Sequence, residues 1–374
     1  MKIICKQEKL IKALNIVSRA VSQTSPMPIT RGILIRTDGD TQVSLHATDI
    51  QISITTKTDA LVNEPGGVVV AARLFIDLVR KLPAGDILIA TDEKNKVSVK
   101  TDRSEYEYQG KDEGEFPRID IDEEGTKIKI DKDEISGMID GTAFAASTDE
   151  SRGVITGVLF EIKEGMLSLA ALDGYRVAIR RERDKAYEGN DVKAIVPARL
   201  MREISKILAE TDDEEEAEID IGGRRLKLFT AGTQIRANLL EGDYIKYNDV
   251  IPKENRTTLT TGREGFLSAV ERAAMLKSEG KNAFIRVSIK DDGVTVSSRA
   301  EEGSGRETVI GEKSGENLEI GFDAKFLMDA LKAIPDDTVE LQFNTSVSPC
   351  LIKPTEGDAF DYLILPVRLS TVSV

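Results

Sequence analysis

Apolar residues recur on one helical face at three places in the chain, and the three places are in register. Ala72-Arg73-Leu74-Phe75-Ile76-Asp77-Leu78-Val79-Arg80 is followed 126 residues later by Ala198-Arg199-Leu200-Met201-Arg202-Glu203-Ile204-Ser205-Lys206, and after the same interval by Ala324-Lys325-Phe326-Leu327-Met328-Asp329-Ala330-Leu331-Lys332. In the first copy Leu74, Phe75, Leu78, Val79 and Leu82 fall at the three- and four-residue spacing of one helix face. Leu200, Met201, Ile204 and Leu208 repeat it, as do Phe326, Leu327, Ala330, Leu331 and Ile334. Each copy predicts an amphipathic helix. Pro83 and Pro335 stop the first and third, and the second runs out into the acidic stretch Glu210 to Asp220.

A further helix is predicted to open each unit, over Glu8–Val21, Asp133–Ala146 and Thr261–Leu276, the last with a Thr261/Glu264 capping box. Alternating runs follow it and read as strands: Gly32–Arg36, Val158–Ile162 and Phe284–Ile289. Asp38-Gly39-Asp40, Lys163-Glu164-Gly165 and Asp291-Asp292-Gly293 supply hairpin turns at equivalent places. Solenoid repeats run to roughly 20–50 residues, so this much longer period is that of a domain. The fold class is α+β, as three tandem domains over residues 1–124, 125–253 and 254–374. Polar breaks at Asp120–Gly125 and Pro252–Asn255 mark the limits.

Composition narrows the function. Hydrophobic residues make up 40% of the chain and charged ones 31%, the balance of a globular protein. The first residues interleave Lys2, Lys6, Glu8, Lys9 and Lys12 with apolar ones, so no signal-peptide core is present, and no run is long enough to cross a membrane. A cytoplasmic location is expected. Two cysteines, Cys5 and Cys350, fit a reducing compartment as buried apolar residues, and His46 is the single histidine. A histidine base or an imidazole metal centre therefore has little material, and no cofactor is expected. The net charge of −14 excludes a surface that is basic all over, yet a local basic lining would still confine DNA to one place.

Such a lining is available. Arg73 and Arg80, Arg199 and Lys206, and Lys325 and Lys332 are each seven residues apart, on one helix face opposite the apolar stripe. Asp77, Glu203 and Asp329 sit between them, so a solvated ion-pair ladder is the competing account. Each triad keeps a net positive charge, and Lys9, Lys12, Arg19, Lys81 and Arg202 add to it. Elsewhere there is no phosphate loop, dinucleotide fingerprint or zinc-ligand spacing. Glu301-Glu302-Gly303-Ser304-Gly305 reads as a flexible loop, Asp212–Glu216 as a solvated hairpin loop, and His46 as structural. Asp49 and Asp173 read as turn caps. A metal-dependent hydrolase using Asp49, Asp173 and Glu203 is an alternative, opposed by Arg299 near the third equivalent position. A peptide-binding scaffold without DNA is another.

With the repeat established, several segments resemble the bacterial DNA polymerase III beta subunit, the sliding-clamp family. Met27-Pro28-Ile29, Ala47-Thr48-Asp49-Ile50, Val70-Ala71-Ala72-Arg73 and Phe116-Pro117 are similar to family motifs in order and spacing. So are Leu172-Asp173-Gly174-Tyr175-Arg176-Val177 and the stretch Tyr362 to Leu369. The resemblance covers nearly the whole chain. It implies a non-catalytic, metal-free, head-to-tail homodimer whose six domains close a ring around double-stranded DNA without sequence specificity. Lys12, Arg19, Arg73, Arg80, Arg199, Arg202, Lys206, Lys325 and Lys332 would face the DNA. Arg103, Tyr106, Tyr108, Met275, Leu276, Glu301 and Glu302 would lie at the dimer interface. A groove of Ile155, Leu172, Gly174, Tyr175, Arg176, Val177, Val250, Pro349, Leu363, Ile364, Leu365, Pro366, Val367 and Arg368 would take short peptides. Those peptides would belong to the polymerase III catalytic subunit, the clamp loader, and other polymerases and repair proteins. Leu172 and Tyr175 depart from the family's hydroxyl and imidazole, and Ser370–Val374 extend the usual end.

Overall fold

The structure, a computed structural model, describes every residue except 23–24, 118–124, 183–186, 188–189, 211–215, 278–281, 302 and 369–374. The first repeat contains β1 (Lys2–Lys6), α1 (Gln7–Ser18), β2 (Gly32–Asp38), β3 (Gln42–Thr48), β4 (Ile52–Asp59), β5 (Leu61–Glu64) and β6 (Gly67–Ala71). It ends with α2 (Ala72–Lys81), β7 (Asp86–Thr91), β8 (Lys96–Lys100) and β9 (Glu105–Gln109). The second contains β10 (Thr126–Asp131), α3 (Lys132–Asp140), β11 (Gly157–Lys163), β12 (Met166–Leu172), β13 (Arg176–Arg181) and β14 (Val192–Pro197). It closes with α4 (Ala198–Glu210), β15 (Glu216–Gly222), β16 (Arg225–Thr230) and β17 (Thr233–Asn238). The third contains β18 (Thr257–Gly262), α5 (Arg263–Ala273), β19 (Phe284–Lys290), β20 (Gly293–Ala300), β21 (Gly303–Val309) and β22 (Gly311–Gly315). It finishes with β23 (Leu318–Asp323), α6 (Ala324–Ala333), β24 (Thr338–Phe343), β25 (Cys350–Pro354) and β26 (Phe360–Ile364).

The repeat is threefold, but the chain packs as two compact units, Met1–Ser136 with Glu203–Leu239, and Gly137–Arg202 with Leu240–Val374. Sheet pairing explains the division. In the first unit an eight-stranded sheet runs β10-β15-β16-β17-β4-β3-β2-β6. There β17 of the middle repeat lies antiparallel to β4 of the first, from Thr233 opposite Thr56 to Ala237 opposite Ile52. The buried Thr56 and Thr233 hydroxyls bond across this seam at 2.7 Å. In the second unit a nine-stranded sheet runs β14-β11-β12-β13-β26-β25-β24-β18-β22, and β13 pairs with β26 from Arg176 opposite Ile364 to Arg180 opposite Phe360. A five-stranded sheet, β5-β1-β7-β8-β9, completes the first unit, and a four-stranded one, β21-β20-β19-β23, the second.

The expected helices are present, with local corrections. Helix α1 ends at Ser18, short of Val21, and α3 ends at Asp140, where the Thr142 hydroxyl donates to the Met138 carbonyl at 2.8 Å and a 3-10 turn over Ala143–Ala145 takes over. The Thr261 capping box does not form. Strand β18 runs directly into α5, Gly262 occupies the cap position, and the Thr261 hydroxyl is committed to the Ile310 carbonyl at 2.7 Å. Phe75 and Val79 make the buried stripe of α2, whereas Leu74 flanks it in solvent. Gly303-Ser304-Gly305 is not a loop: it begins β21, paired with β20 through Ser298 opposite Gly305. The Asp212–Glu215 part of the acidic run, the Asp120–Glu124 break and the Ser370–Val374 extension lie outside the described residues. Cys5 and Cys350 are buried, and burial pushes the Cys5 thiol up to about 12.

His46 lies on β3 with Nδ1 at 2.9 Å from the Thr55 hydroxyl and Nε2 at 2.9 Å from that of Ser44. Burial, reinforced by the Arg36 charge and opposed by Asp38, lowers its pKa from 6.5 to about 4. The folded state therefore favours the neutral ring, and this contribution, full above pH 6.5, is lost as pH falls through about 4. The chain's single histidine gives one imidazole signal by NMR, expected to titrate with a midpoint near 4 in the folded protein. A midpoint near 6.5 contradicts the burial described.

Candidate nucleic-acid and peptide interfaces

The basic positions are built by helix geometry. A seven-residue spacing returns a side chain to nearly the same face, and burial of the opposite stripe turns that face outward. Lys12, Arg73, Arg80, Arg199, Lys206, Lys325 and Lys332 are all exposed. Arg73 joins no ion pair among the described residues. Arg80 reaches Asp77 only at 4.0 Å, and Lys332 pairs with Glu271 of α5 at 2.8 Å. Arg19 and Arg202 differ from the expectation. Arg19 is drawn inward by Glu203, at 3.0 Å, and by Glu210. Arg202 is half-buried and donates to the Ala143 carbonyl, and burial with the nearby Arg176 charge lowers its pKa below the ordinary arginine value.

The acids between the bases are more than ladder rungs. Glu203 takes Lys206 at 3.0 Å within α4 but also Arg19 beyond α1, and Asp329 takes Lys325 within α6 but also Arg176 of β13, each at 2.7 Å. Burial raises both carboxyls, yet these bonds outweigh it and hold both below the usual carboxylate range. Two of the three acids thus tie one repeat to the one before it.

The groove is positioned by strand register. Ile364 lies opposite Arg176 in β13 and opposite Cys350 in β25, so Tyr175, Leu365 and Pro349 emerge together at one end of three adjacent strands. The Leu365 amide donates to the Tyr175 carbonyl at 2.8 Å. Ile155, Leu172, Val177 and Leu363 are buried in one cluster with Tyr244 and Tyr247, and Ile364 is buried as well. These residues make a floor rather than an open wall. Tyr175, Val250, Leu365 and Arg368 are exposed, and Pro349, Pro366 and Val367 half-buried. The Asp173 carboxylate accepts the amides of Tyr175 and Arg176 at 2.9 and 3.0 Å, and Gly174 takes a φ of +90° between them. In the first repeat Asp49 makes the same turn with the Gln51 and Ile52 amides. Both aspartates are turn caps, which removes them from the hydrolase reading.

Arg176 does not rim the groove as a free cation. It is 7% exposed, and its Nε donates to Asp173 at 3.0 Å, Nη1 to Asp329 at 2.7 Å and Nη2 to the Phe144 carbonyl at 2.8 Å. Its guanidinium lies 5.3 Å from the Phe144 ring centre and 4.7 Å from that of Phe326. Sequence reasoning missed three neighbours. Val347, 75% exposed, lies on the turn just before Pro349. Arg152 donates to the Asp173 carbonyl. Phe326 stacks on Tyr175 with ring centres 5.9 Å apart. For Phe326 a signal existed, an aromatic ring where the first two repeats have Leu74 and Leu200.

At the proposed dimer contact, β9 and β21 are edge strands of their sheets. Tyr106 on β9 is exposed, while Tyr108 is half-buried opposite Val97 and its hydroxyl is pushed upward by desolvation. Met275 is exposed, Leu276 half-buried, and Arg103 and Glu301 exposed; Glu302 lies outside the described residues. Arg272 and Glu307 pair at 2.7 Å beside the β21 edge. No group of three or more His, Cys, Asp or Glu able to hold a metal occurs among the described residues. No described helix is long and apolar enough to cross a membrane.

Three consecutive family models match: DNA polymerase III beta subunit, N-terminal domain over residues 1–120, central domain over 129–246 and C-terminal domain over 248–368. The sequence is 32% identical to the beta sliding clamp of Staphylococcus aureus, over 98% of this chain and 99% of that one. Among solved structures, a putative DNA polymerase III beta subunit from Eubacterium rectale superposes with a TM-score of 0.92 at 32% identity, covering 98% of this chain and all of that one. The Bacillus subtilis DNA polymerase sliding clamp gives 0.93 at 29%, over 98% of this chain and 99% of its own.

The enclosure of Arg176 has a consequence for stability. Arg176→Met removes the cation that Asp173, Asp329 and the Phe144 carbonyl share, and is expected to cost about 3–5 kcal/mol in denaturant unfolding. An unchanged midpoint contradicts the account of this residue as a buried hub.

Proposed function

This chain belongs to the DNA polymerase III beta subunit family, and from that premise we propose that it is a sliding clamp that encircles duplex DNA and tethers a polymerase to it. The family serves as a processivity factor, not as a catalytic subunit, and its partners are DNA and polymerase. The observation that carries the reading is the pairing of a threefold domain repeat with bases exposed at the same two helical positions in every repeat. We place the domain limits at 1–124, 125–253 and 254–374.

In this reading two copies join head to tail, the β9 edge of one against the β21 edge of the other, which satisfies both rows of unpaired backbone groups. Arg73, Arg80, Arg199, Lys206, Lys325 and Lys332 face the phosphates. They do so as exposed side chains with no base contacts, so attraction is sequence-independent and salt-sensitive, which suits a ring that must slide. Tyr175, Val250, Val347, Leu365, Pro366 and Val367, over the buried floor, take the hydrophobic end of a short peptide from the polymerase, the clamp loader or a repair protein. Arg19 and Arg202, engaged inside the fold, contribute little to DNA contact.

Reversing Arg73, Arg199 and Lys325 together to Glu is expected to reduce retention on DNA at low salt and to flatten its salt dependence, with the fold intact by circular dichroism. Retention and salt dependence equal to the parent would show that these positions are only structural.

A further inference from the structure

Side chains alternate along the strands of the four-stranded sheet β21-β20-β19-β23 and give it two unlike faces. Ile285, Val287 and Ile289 of β19 and Val294 and Val296 of β20 are buried on one of them. On the other, Arg286 lies opposite Ser297, and Ser297 opposite Arg306, in one row across three strands. Arg299, two residues beyond Ser297 on β20 and opposite Ser304, falls on the same face. Neighbouring strands are about 5 Å apart and alternate residues about 7 Å, so three arginines stand around one serine position.

In a chain of net charge −14 this is a basic island. Arg299 and Arg306 are exposed and join no ion pair among the described residues, and the half-buried Arg286 reaches Glu319 only at 3.7 Å. Lys290 claims Glu319 more closely, at 2.8 Å, and its bond to that carboxylate is the main reason the carboxyl stays below the usual range. Like charges on neighbouring strand positions cost stability, so the cluster has anionic contacts still to gain. Acids bound it at both ends. Glu301 follows Arg299 by two residues, and Asp291 and Asp292 make the turn between β19 and β20.

We propose that this exposed sheet face is a docking site for a short acidic segment of a partner protein, whose carboxylates pair with Arg286, Arg299 and Arg306. Guanidinium forks match carboxylates two oxygens at a time. Phe284, half-buried on the same face two residues before Arg286, adds an apolar contact. The bounding acids oppose nucleic acid as the occupant: a run of phosphates must continue past Glu301 or past Asp291 and Asp292, whereas two or three carboxylates end within the island. The face shares no residue with the peptide groove or with the bases assigned to DNA. A second copy joined through its β9 edge brings Glu105 and Glu107 beside β21, but Lys100 and Lys96 of their own chain hold those acids at 2.7 and 2.6 Å, which leaves the arginines available.

The test measures binding of a fluorescent hexaglutamate peptide to the full chain by anisotropy at low salt, with a labelled oligothymidylate of equal charge as the competing probe. Arg299→Ser and Arg306→Ser are each expected to weaken hexaglutamate binding about three- to fivefold, and the pair together about tenfold. Ser297→Glu sets a carboxylate of the chain's own among the arginines and should abolish binding with no loss of melting temperature. The triple reversal of Arg73, Arg199 and Lys325 to Glu removes the other exposed bases and should bind hexaglutamate as the parent does. No binding by the parent, parent affinity in the Arg299→Ser/Arg306→Ser variant, or loss in the triple reversal instead, overturns the site. Tighter binding of oligothymidylate that is lost in the double variant makes the face a nucleic-acid contact, and conversion of the double variant to monomers makes it part of the subunit contact; either result overturns the proposal.

Discussion

The structure depends on antiparallel strand pairing between successive repeats. A sheet edge presents a row of backbone donors and acceptors that must find partners, and here β17 satisfies β4 while β26 satisfies β13. Each large sheet is thereby assembled from two repeats, and the middle repeat belongs half to each compact unit. The threefold repeat is a property of sequence and local topology; the two units are a property of hydrogen bonding and packing. Pairing uses up four edges, and among those that remain β9 and β21 are the two that a second copy is proposed to satisfy.

The electrostatics follow from the same economy of partners. A chain of net charge −14 can hold DNA only where its acids are otherwise engaged. Glu203 and Asp329 are engaged twice over, each with a base of its own helix and with an arginine of the preceding repeat. The clasp between repeats thus withdraws negative charge from the helix face that carries Lys206 and Lys325. Where a base is itself the clasp, as with Arg19 and Arg176, it is lost to the surface. Counting basic residues in the sequence does not separate the two kinds, because the difference lies in which carboxylate approaches.

Local patterning was legible wherever one element decides its own structure. The six helices, the hairpin turns at Gly39, Gly165 and Gly293, the turn-capping Asp49 and Asp173 and the structural His46 all follow from periodicity, turn chemistry or composition. Features set by distant partners were not legible. Thr261 resembles a helix cap only until the Ile310 carbonyl claims it, and Gly303-Ser304-Gly305 resembles a loop only until β20 pairs with it. In the groove, motif resemblance picked out the residues of the turn and floor but could not say that Leu172 and Leu363 are core, that Arg176 is enclosed, or that Phe326 reaches across.

The central claim is topological: the protein holds DNA by surrounding it, and its exposed bases keep contact without gripping. Topology is separable from affinity by cutting the DNA. The protein should be loaded by a bacterial clamp loader onto a nicked circular plasmid, freed of unbound material by gel filtration in moderate salt, and followed by its elution position before and after a restriction enzyme linearises the circle. The account predicts co-elution with the circle and release within minutes of linearisation, as a ring slides off the ends. Equal retention on circular and linear DNA would contradict it.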